Sequence, residues 1–289
     1  MSTSTRGDLR TDEHAGALTY VVDSRQDRPN LPAAGCPFCP GGLEAPEDYD
    51  VRWFVNRWPA MPGDRCEVVL YTPQHDATFW SLGAGGARKV VDLWAERSAA
   101  LGARDDVDYV LVFENRGPAV GATIPHPHGQ IYAFDFVPDL PRRELLRGDQ
   151  LGEPGTRLVA TAPGWRAWVP EAPIFPYALR LVPDDPAPDL PSLDDAGRDG
   201  LSQLLVDVLE RFDRLFDAET PYMLWIHQRP SSDCTRERGR RSVAVGDRRF
   251  RLASSGSCHV ARPPRKSSDS RLTAPLRAAP ARRPRARRG

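Results

Sequence analysis

Long apolar runs, cysteine-rich segments and an apolar leader are all missing from this chain of 289 residues. No stretch approaches the roughly 18 apolar residues of a membrane span. Residues 1–14 are polar and of mixed charge, so we expect no signal peptide and a cytoplasmic protein without a membrane partner. The five cysteines, two of them in Cys36-Pro37-Phe38-Cys39, favour a reducing compartment and a metal site over a disulfide framework.

What is present is typical of a globular enzyme of one or two domains: 40% hydrophobic residues, with seven Trp. The formal net charge of zero conceals an asymmetry. Residues 234–289 contain 17 Lys and Arg against 3 Asp and Glu, although the whole chain has 39 of each. The sequence therefore predicts an acidic body followed by a strongly basic tail.

The six histidines include two that stand together in Pro125-His126-Pro127-His128-Gly129-Gln130. A strand-like run, Tyr109 to Phe113, leads into the loop Phe113-Glu114-Asn115-Arg116-Gly117, and a second run, Gln130 to Phe134, leads out. Histidines two positions apart on an extended chain can point to the same side, and the following glycine lets a large anionic ligand approach the backbone. Imidazole is a good nucleophile toward phosphorus at neutral pH, so the motif indicates a phosphoryl-transfer site.

At these residues the chain resembles the galactose-1-phosphate uridylyltransferases, a branch of the histidine-triad superfamily, from about Val21 to about Pro230. The resemblance implies that His128 attacks the α-phosphorus of UDP-glucose and carries the uridylyl group. Gln130 stands where triad hydrolases have a third histidine. A neutral amide can hold phosphoryl oxygens but is no proton donor of histidine's kind, which favours transfer to a sugar phosphate over hydrolysis.

The same resemblance implies a set of substrate-binding residues. Two arginines and an asparagine would lie near the nucleotide, and three polar side chains would contact the phosphoryl oxygens: Arg25, Arg28 and Asn56, then Asn115, Thr123 and Gln130. From the residues alone, a solvated surface run is the favoured interpretation of the two arginines, and Asn56 equally fits a turn at the end of a strand. Arginine's planar fork does suit phosphate recognition.

Cys36 and Cys39 have the spacing of half a tetrahedral zinc site, and redox use of this pair is the alternative. The resemblance completes the site with His75 and His126. Four protein ligands leave no open position, so we expect a structural Zn²⁺ that pins the loop of His128 to the N-terminal segment. Glu144 and His227 would be half of a second metal site, where iron is an option; alone, Glu144 fits a surface helix.

The fold we expect is α+β: a duplicated histidine-triad-like fold, mainly antiparallel sheet with covering helices, and a truncated second copy. Residues 1–150 would form the first half, with the zinc knuckle and the active loop, and residues 151–233 an incomplete second half. The second half repeats the order strand, strand, helix, strand, and we expect one extended sheet. The predicted elements of the two halves, in order, are 50–56, 66–73, Ala87 to Leu101, 109–113 and 130–134, then 165–170, 177–183, Ser192 to Phe216 and 221–228.

A final strand of the second half is due after Pro230, where the resemblance implies further metal ligands and sugar contacts. The chain instead continues from Cys234 in Arg, Ser, Pro and Ala, a composition typical of disorder. One interpretation is a basic tail, residues 234–289, that binds nucleic acid or anionic surfaces. The other, which we favour because the repeat is cut where a core strand is due, is a shift of reading frame near Ser232.

The sequence thus predicts a nucleotidyltransferase that moves a uridylyl group from UDP-glucose to galactose 1-phosphate, with an incomplete sugar-handling half. The resemblance implies a homodimer, with these small molecules as partners. One alternative is a dinucleoside polyphosphate phosphorylase of the same superfamily, which would use His128 on an adenine nucleotide. A remote one is a zinc-containing nucleic-acid-binding protein.

Overall fold

The computed structural model describes residues 7–14, 16–22, 35–147, 153–173 and 175–231. Arg25, Arg28 and the predicted basic tail lie outside these residues. The described part begins with a hairpin of β1 (Gly7–Thr11) and β2 (Leu18–Val22), which pair antiparallel. The polar N-terminal sequence gave no sign of this hairpin.

The central element is a five-stranded antiparallel sheet of order β10-β5-β6-β4-β3. Its strands are β3 (Arg52–Val55), β4 (Cys66–Leu70), β5 (Tyr109–Arg116), β6 (His128–Phe134) and β10 (Tyr222–Ile226). The strand β6 begins two residues earlier than predicted, so His128 and Gly129 belong to the strand and not to the loop. The alternation of a strand therefore governs where the side chain of His128 points.

Two long helices cover the sheet: α1 (Gly83–Gly102) and α3 (Asp195–Phe216), with the shorter α2 (Asp139–Arg147) following β6. The carboxylate of Asp194 accepts a hydrogen bond from Gly197 N at 2.8 Å, which makes it the N-cap of α3. The apolar spacing of the sequence from Leu201 to Leu215 predicts a buried stripe on α3, and the stripe is buried from Leu201 to Phe212. Leu215, in the last turn of the helix, is instead 62% exposed.

A separate three-stranded sheet contains β7 (Leu158–Ala162), β8 (Trp165–Trp168) and β9 (Arg180–Pro183), in that order. The expectation of one extended sheet is thus wrong for the described residues. In the first half β6 lies between β4 and β5 and joins them. The described part of the second half has no counterpart of β6, so β9 and β10 do not pair and the sheet is divided there.

The two halves meet through the β5–β10 pair and through packing of α1 against α3, which share one apolar core. The α+β class with antiparallel sheets and few helices is confirmed. The boundaries predicted at residues 150 and 233 stay a prediction. None of the described helices combines the length and apolarity that crossing a bilayer would require.

Candidate active site

The strand β6 presents alternate side chains to two different environments. His128 and Gln130 lie on a partly open face, whereas Gly129 and Ile131 face the buried core. A Cβ atom at Gly129 would lie 2.1 Å from the hydroxyl of Tyr71, so only glycine fits at this point. The glycine of the motif thus allows close packing beneath the histidine, in addition to the predicted approach of a ligand.

The ring of His128 is held by its own loop. Its Nδ1 donates a hydrogen bond to the carbonyl oxygen of His126 at 2.8 Å, and the ring of Phe38 contacts it edge-on with centroids 5.0 Å apart. Donation to a carbonyl requires the proton on Nδ1, so the lone pair of the neutral imidazole is on Nε2. This is the tautomer that a nucleophile at Nε2 needs.

His128 lines a cavity of about 780 Å³, which is large enough for a nucleotide. The residues that line it all come from positions 35–130, that is, from the first half of the chain. The predicted catalytic and substrate-binding residues among them are Asn56, Thr123, His128 and Gln130, and the predicted metal ligands Cys36 and Cys39 also line the cavity. Phe38, Phe54 and Trp58 add aromatic surface that the sequence analysis did not assign to the site.

The polar groups of the cavity wall are already oriented. The side-chain oxygen of Gln130 accepts hydrogen bonds from Asn56 Nδ2 at 3.5 Å and from the Tyr132 hydroxyl at 3.3 Å. Asn56 is fixed in turn, since its Oδ1 accepts from Trp58 N at 2.9 Å. Because the oxygen of Gln130 serves the protein, its amide hydrogens are left to donate to a ligand.

Asn115 lies on the same face of the sheet as Gln130, since Phe113 and Gln130 are directly opposed and Asn115 is two residues further along β5. It is not among the residues that line the cavity. Its neighbours Glu114 and Arg116 point to the opposite face, toward the core. The Phe-Glu-Asn-Arg-Gly motif therefore divides its polar side chains between the two faces.

At one wall of the cavity, Cys36, Cys39, His75 and His126 form a group that could hold a metal ion, with one ligand atom of each within 4.8 Å of the others. Cys39 Sγ is 3.5 Å from His75 Nδ1 and 3.6 Å from His126 Nδ1. The predicted four residues are thus brought together. In the described part of the chain this is the one group of three or more such side chains with that geometry.

The surroundings of the group suit a metal. Nε2 of His126 donates to the carbonyl of Thr72 at 2.8 Å, which directs Nδ1 toward the cysteines, and the hydroxyl of Tyr49 donates to the same carbonyl and to that of Phe38. Burial lowers the pKa of His126, which keeps the imidazole in the neutral form that binds metals. Burial and the nearby Cys36 raise the pKa of Cys39, a penalty on the thiolate that a bound cation would reverse. The donor set fits a four-coordinate ion.

The predicted half of a second metal site also comes together. Nδ1 of His227, just after β10, lies 2.5 Å from Oε2 of Glu144 in α2. Within the residues that the structure describes, no further His, Cys, Asp or Glu completes a group of three around this pair. The two side chains form a hydrogen-bonded pair between the halves.

Comparison with known proteins gives the same picture. Residues 57–138 match the family model described as galactose-1-phosphate uridyl transferase, N-terminal domain. A solved structure of a uridylyltransferase superposes with a TM-score of 0.70 at 27% identity, covering 79% of this chain and 82% of that one. The fold is therefore that of a uridylyltransferase.

Two curated relatives narrow the class. The galactose-1-phosphate uridylyltransferase of Thermotoga maritima is 32% identical over 264 residues, 78% of this chain and 82% of the relative. That of Streptomyces lividans is 39% identical over 225 residues, 69% of this chain but 63% of the relative's length. The chain belongs to the galactose-1-phosphate uridylyltransferase family.

Proposed function

We propose that this protein transfers a uridylyl group from UDP-glucose to galactose 1-phosphate through a covalent intermediate on His128. The products are glucose 1-phosphate and UDP-galactose. The observation that carries the proposal is the hydrogen bond from His128 Nδ1 to the His126 carbonyl, which leaves the lone pair on Nε2 at a cavity of nucleotide size. Membership of the family supplies the identity of the substrates.

In the first half-reaction, Nε2 of His128 forms a bond to the α-phosphorus of UDP-glucose. The bond from that phosphorus to the bridging oxygen breaks, and its electron pair leaves with glucose 1-phosphate. The ring becomes positively charged as it is phosphorylated, and the hydrogen bond from Nδ1 to the His126 carbonyl stabilises that charge. In the second half-reaction, a phosphate oxygen of galactose 1-phosphate attacks the uridylyl phosphorus, and the P–N bond breaks to restore the imidazole.

Gln130 would donate its amide hydrogens to the phosphoryl oxygens, since its own oxygen is engaged by Asn56 and Tyr132. Thr123, at the cavity wall, would add a hydroxyl, and Asn115 would approach from β5. Asn56 would also hold the nucleotide, together with Arg25 and Arg28, which lie outside the described residues. The absence of a histidine at position 130 supports transfer to a sugar phosphate over transfer to water.

Cys36, Cys39, His75 and His126 would hold a structural Zn²⁺, which when bound would fix the position of the His126 carbonyl and stabilise the fold. One zinc per chain by elemental analysis, lost in Cys39→Ser, would agree with this role. The residues of the incomplete second site, Glu144 and His227, would act as a structural pair. We also propose a homodimer in the cytoplasm, as the family resemblance implies.

The test is incubation with UDP-glucose followed by intact-mass measurement. We expect the mass to increase by one uridylyl group, the group to map to His128, and His128→Ala to show no increase. A control is His14→Ala at an exposed position, which should keep the adduct. ADP-glucose and diadenosine tetraphosphate are offered in parallel. Labelling by an adenine nucleotide in place of UDP-glucose, or an adduct that survives in His128→Ala, would refute the proposal.

A further inference from the structure

Glu114 is a buried carboxylate on the strand next to the nucleophile, and the proposed reaction does not use it. It is 4% exposed, and its side chain points to the core face of β5. The hydroxyl of Tyr222 in β10 donates to its Oε1 at 2.7 Å. Its other oxygen, Oε2, is buried without a hydrogen-bond partner in the described part of the chain. A buried, half-satisfied carboxylate costs stability, so its presence requires a reason.

The hydroxyl of Tyr71 is close enough to Glu114 for each group to affect the pKa of the other. This hydroxyl is also buried with no hydrogen bond among the described residues, as is Nε1 of Trp94, whose ring packs 5.7 Å from the Tyr71 ring. Burial and the nearby carboxylate of Glu114 raise the pKa of Tyr71 well above its usual value. Tyr71 therefore keeps its proton, and a small adjustment would join Trp94, Tyr71, Glu114 and Tyr222 in one hydrogen-bonded chain.

Tyr71 contacts the backbone on both sides of His128. A Cβ atom added at Gly129 would be only 2.1 Å from the Tyr71 hydroxyl oxygen, so this hydroxyl lies directly beneath Gly129. Its backbone N–H donates to the carbonyl of Pro127 at 3.3 Å. A shift of the Tyr71 side chain would thus change the position of the residues before and after His128, and with them the bond from Nδ1 to the His126 carbonyl.

We propose that Glu114 is a positioning residue for the nucleophile. Its carboxyl group supports the Tyr71 hydroxyl beneath Gly129, and this support fixes both the position of the His128 ring relative to the sheet and the tautomer of that ring. The consequence for uridylyl transfer rests on the proposed function, whereas the effect on the His128 ring does not. Glu114 touches no substrate and acts only through Tyr71 and Gly129.

The protonation of Glu114 fits this role. Burial raises the pKa of Glu114 to about 7, against the opposing influence of Tyr222, Arg116 and Tyr71. In the described part of the chain, these three are the titratable or charged groups that face Glu114. Helix α1 adds only the uncharged Trp94 there, because its Arg97 is paired with Glu67. The protonated acid can donate from Oε2 to Tyr71 while Oε1 accepts from Tyr222. Glutamine has the same pattern of one donor and one acceptor.

The experiment measures the ring directly, by ¹⁵N NMR of the full chain labelled at histidine, with His128 assigned from the spectrum of His128→Ala. We expect the wild type to show the Nδ1–H tautomer. In Glu114→Ala the signal should shift toward the Nε2–H form that imidazole prefers in water. Glu114→Gln should retain the wild-type tautomer. The rate of adduct formation from UDP-glucose should fall about 10–100-fold in Glu114→Ala and less than about threefold in Glu114→Gln.

Glu67→Ala is the matched control. Glu67 is also buried at 2%, lies on the same face of the sheet opposite Ile131, and is paired with Arg97 at 2.8 Å, but it does not contact Gly129. The substitution Glu67→Ala should destabilise the protein without changing the His128 tautomer. If Glu114→Ala does not fold, Tyr71→Phe removes the same support and should give the same shift.

An unchanged Nδ1–H tautomer in Glu114→Ala or Tyr71→Phe overturns the positioning role, and so does an equal shift in Glu67→Ala. If the wild type forms no adduct with UDP-glucose, the proposed function fails while the NMR result still decides the role of Glu114. The two failures are therefore distinct.

Discussion

The two halves of the chain have the same order of elements but different tasks. In the first half, β3, β4, α1 and β5 are followed by β6, which carries His128 and Gln130. In the second half, β8, β9, α3 and β10 follow the same order, and the described residues contain no counterpart of β6. The residues that line the cavity all come from the first half. The first half provides the chemistry of the site.

What the second half provides, in the described residues, is support for the strand that precedes the active loop. Tyr222 donates to Glu114, Asp213 accepts from Arg116, and Gln228 donates to Ser98 of α1. Each of these contacts lies on the core side of the sheet or at its edge, away from the cavity. The described residues of the second half thus support the strand β5 of the first half. These three contacts between the halves should therefore contribute to stability.

The largest effect is expected at Asp213 in α3. Its carboxylate accepts from Arg116 Nη1 at 2.9 Å, from Trp80 Nε1 at 2.7 Å and from the backbone N–H of Thr220 at 2.8 Å. Asp213→Ala should lower the free energy of unfolding by about 3–5 kcal/mol, because it leaves the mostly buried guanidinium of Arg116 without its main partner. Urea unfolding measures this loss.

Asp207→Ala on the same helix is the control for Asp213→Ala. Asp207 forms an exposed pair with Arg211 one turn away, so its removal should change the free energy of unfolding by less than about 0.5 kcal/mol. If Asp213→Ala cost no more than Asp207→Ala, the link between α3 and the active loop would carry no stability. The second half would then not support the first in the way described above.

An effect of intermediate size is expected from the titration of Glu114, whose pKa rises to about 7. The native state then holds its proton more tightly than the unfolded state. The resulting stability is full below the pKa of the unfolded glutamate and is lost as pH rises toward and through 7. Relative to Glu114→Gln, which cannot titrate, the wild type should lose at most about 3 kcal/mol between pH 5 and pH 8.

Denaturant unfolding of both proteins at pH 5 and pH 8 tests this dependence. Other titrating groups are common to both proteins and cancel in the difference. The quantity compared is the free energy of unfolding of the wild type minus that of Glu114→Gln. If this difference is the same at both pH values, or is larger at pH 8 than at pH 5, the pKa of Glu114 is not raised.

The sequence predicted the metal-site group and the covering helices, but not the contacts that support the strand β5. The spacing of Cys36 and Cys39 and the apolar periodicity of the helices are local signals, whereas His75 and His126 were added by the family resemblance. The alternation of β5 places Glu114 and Asn115 on opposite faces, but which face is buried depends on α1 and on β10, and β10 is distant in sequence. The partnership of Glu114 with Tyr71 and Tyr222 therefore left no local signal. The division of the sheet was missed for a similar reason, since it depends on which strand lies between two others.

Ser98 also has a partner that is distant in sequence and that local patterns did not predict. Its replacement by alanine should have the smallest effect on the free energy of unfolding. Ser98 interrupts the apolar stripe of α1 in the sequence, yet it is buried, and its hydroxyl accepts from Gln228 Nε2 at 3.3 Å. Gln228 Nε2 also has the Val110 carbonyl at 3.4 Å, and its side-chain oxygen accepts from Leu190 N at 2.9 Å. Ser98→Ala should therefore cost only about 0.5–1.5 kcal/mol, because the amide of Gln228 keeps its other partners.

Gln228→Ala is the informative comparison for Ser98→Ala, since it removes the acceptor of the buried Leu190 N–H as well as the donor to Ser98. It should cost more than Ser98→Ala by about 1–3 kcal/mol in urea unfolding. Equal costs for the two variants would mean that the serine carries the whole interaction. A greater cost for Gln228→Ala would show that the bond from Leu190 N to the Gln228 side chain adds to stability beyond the bond to Ser98.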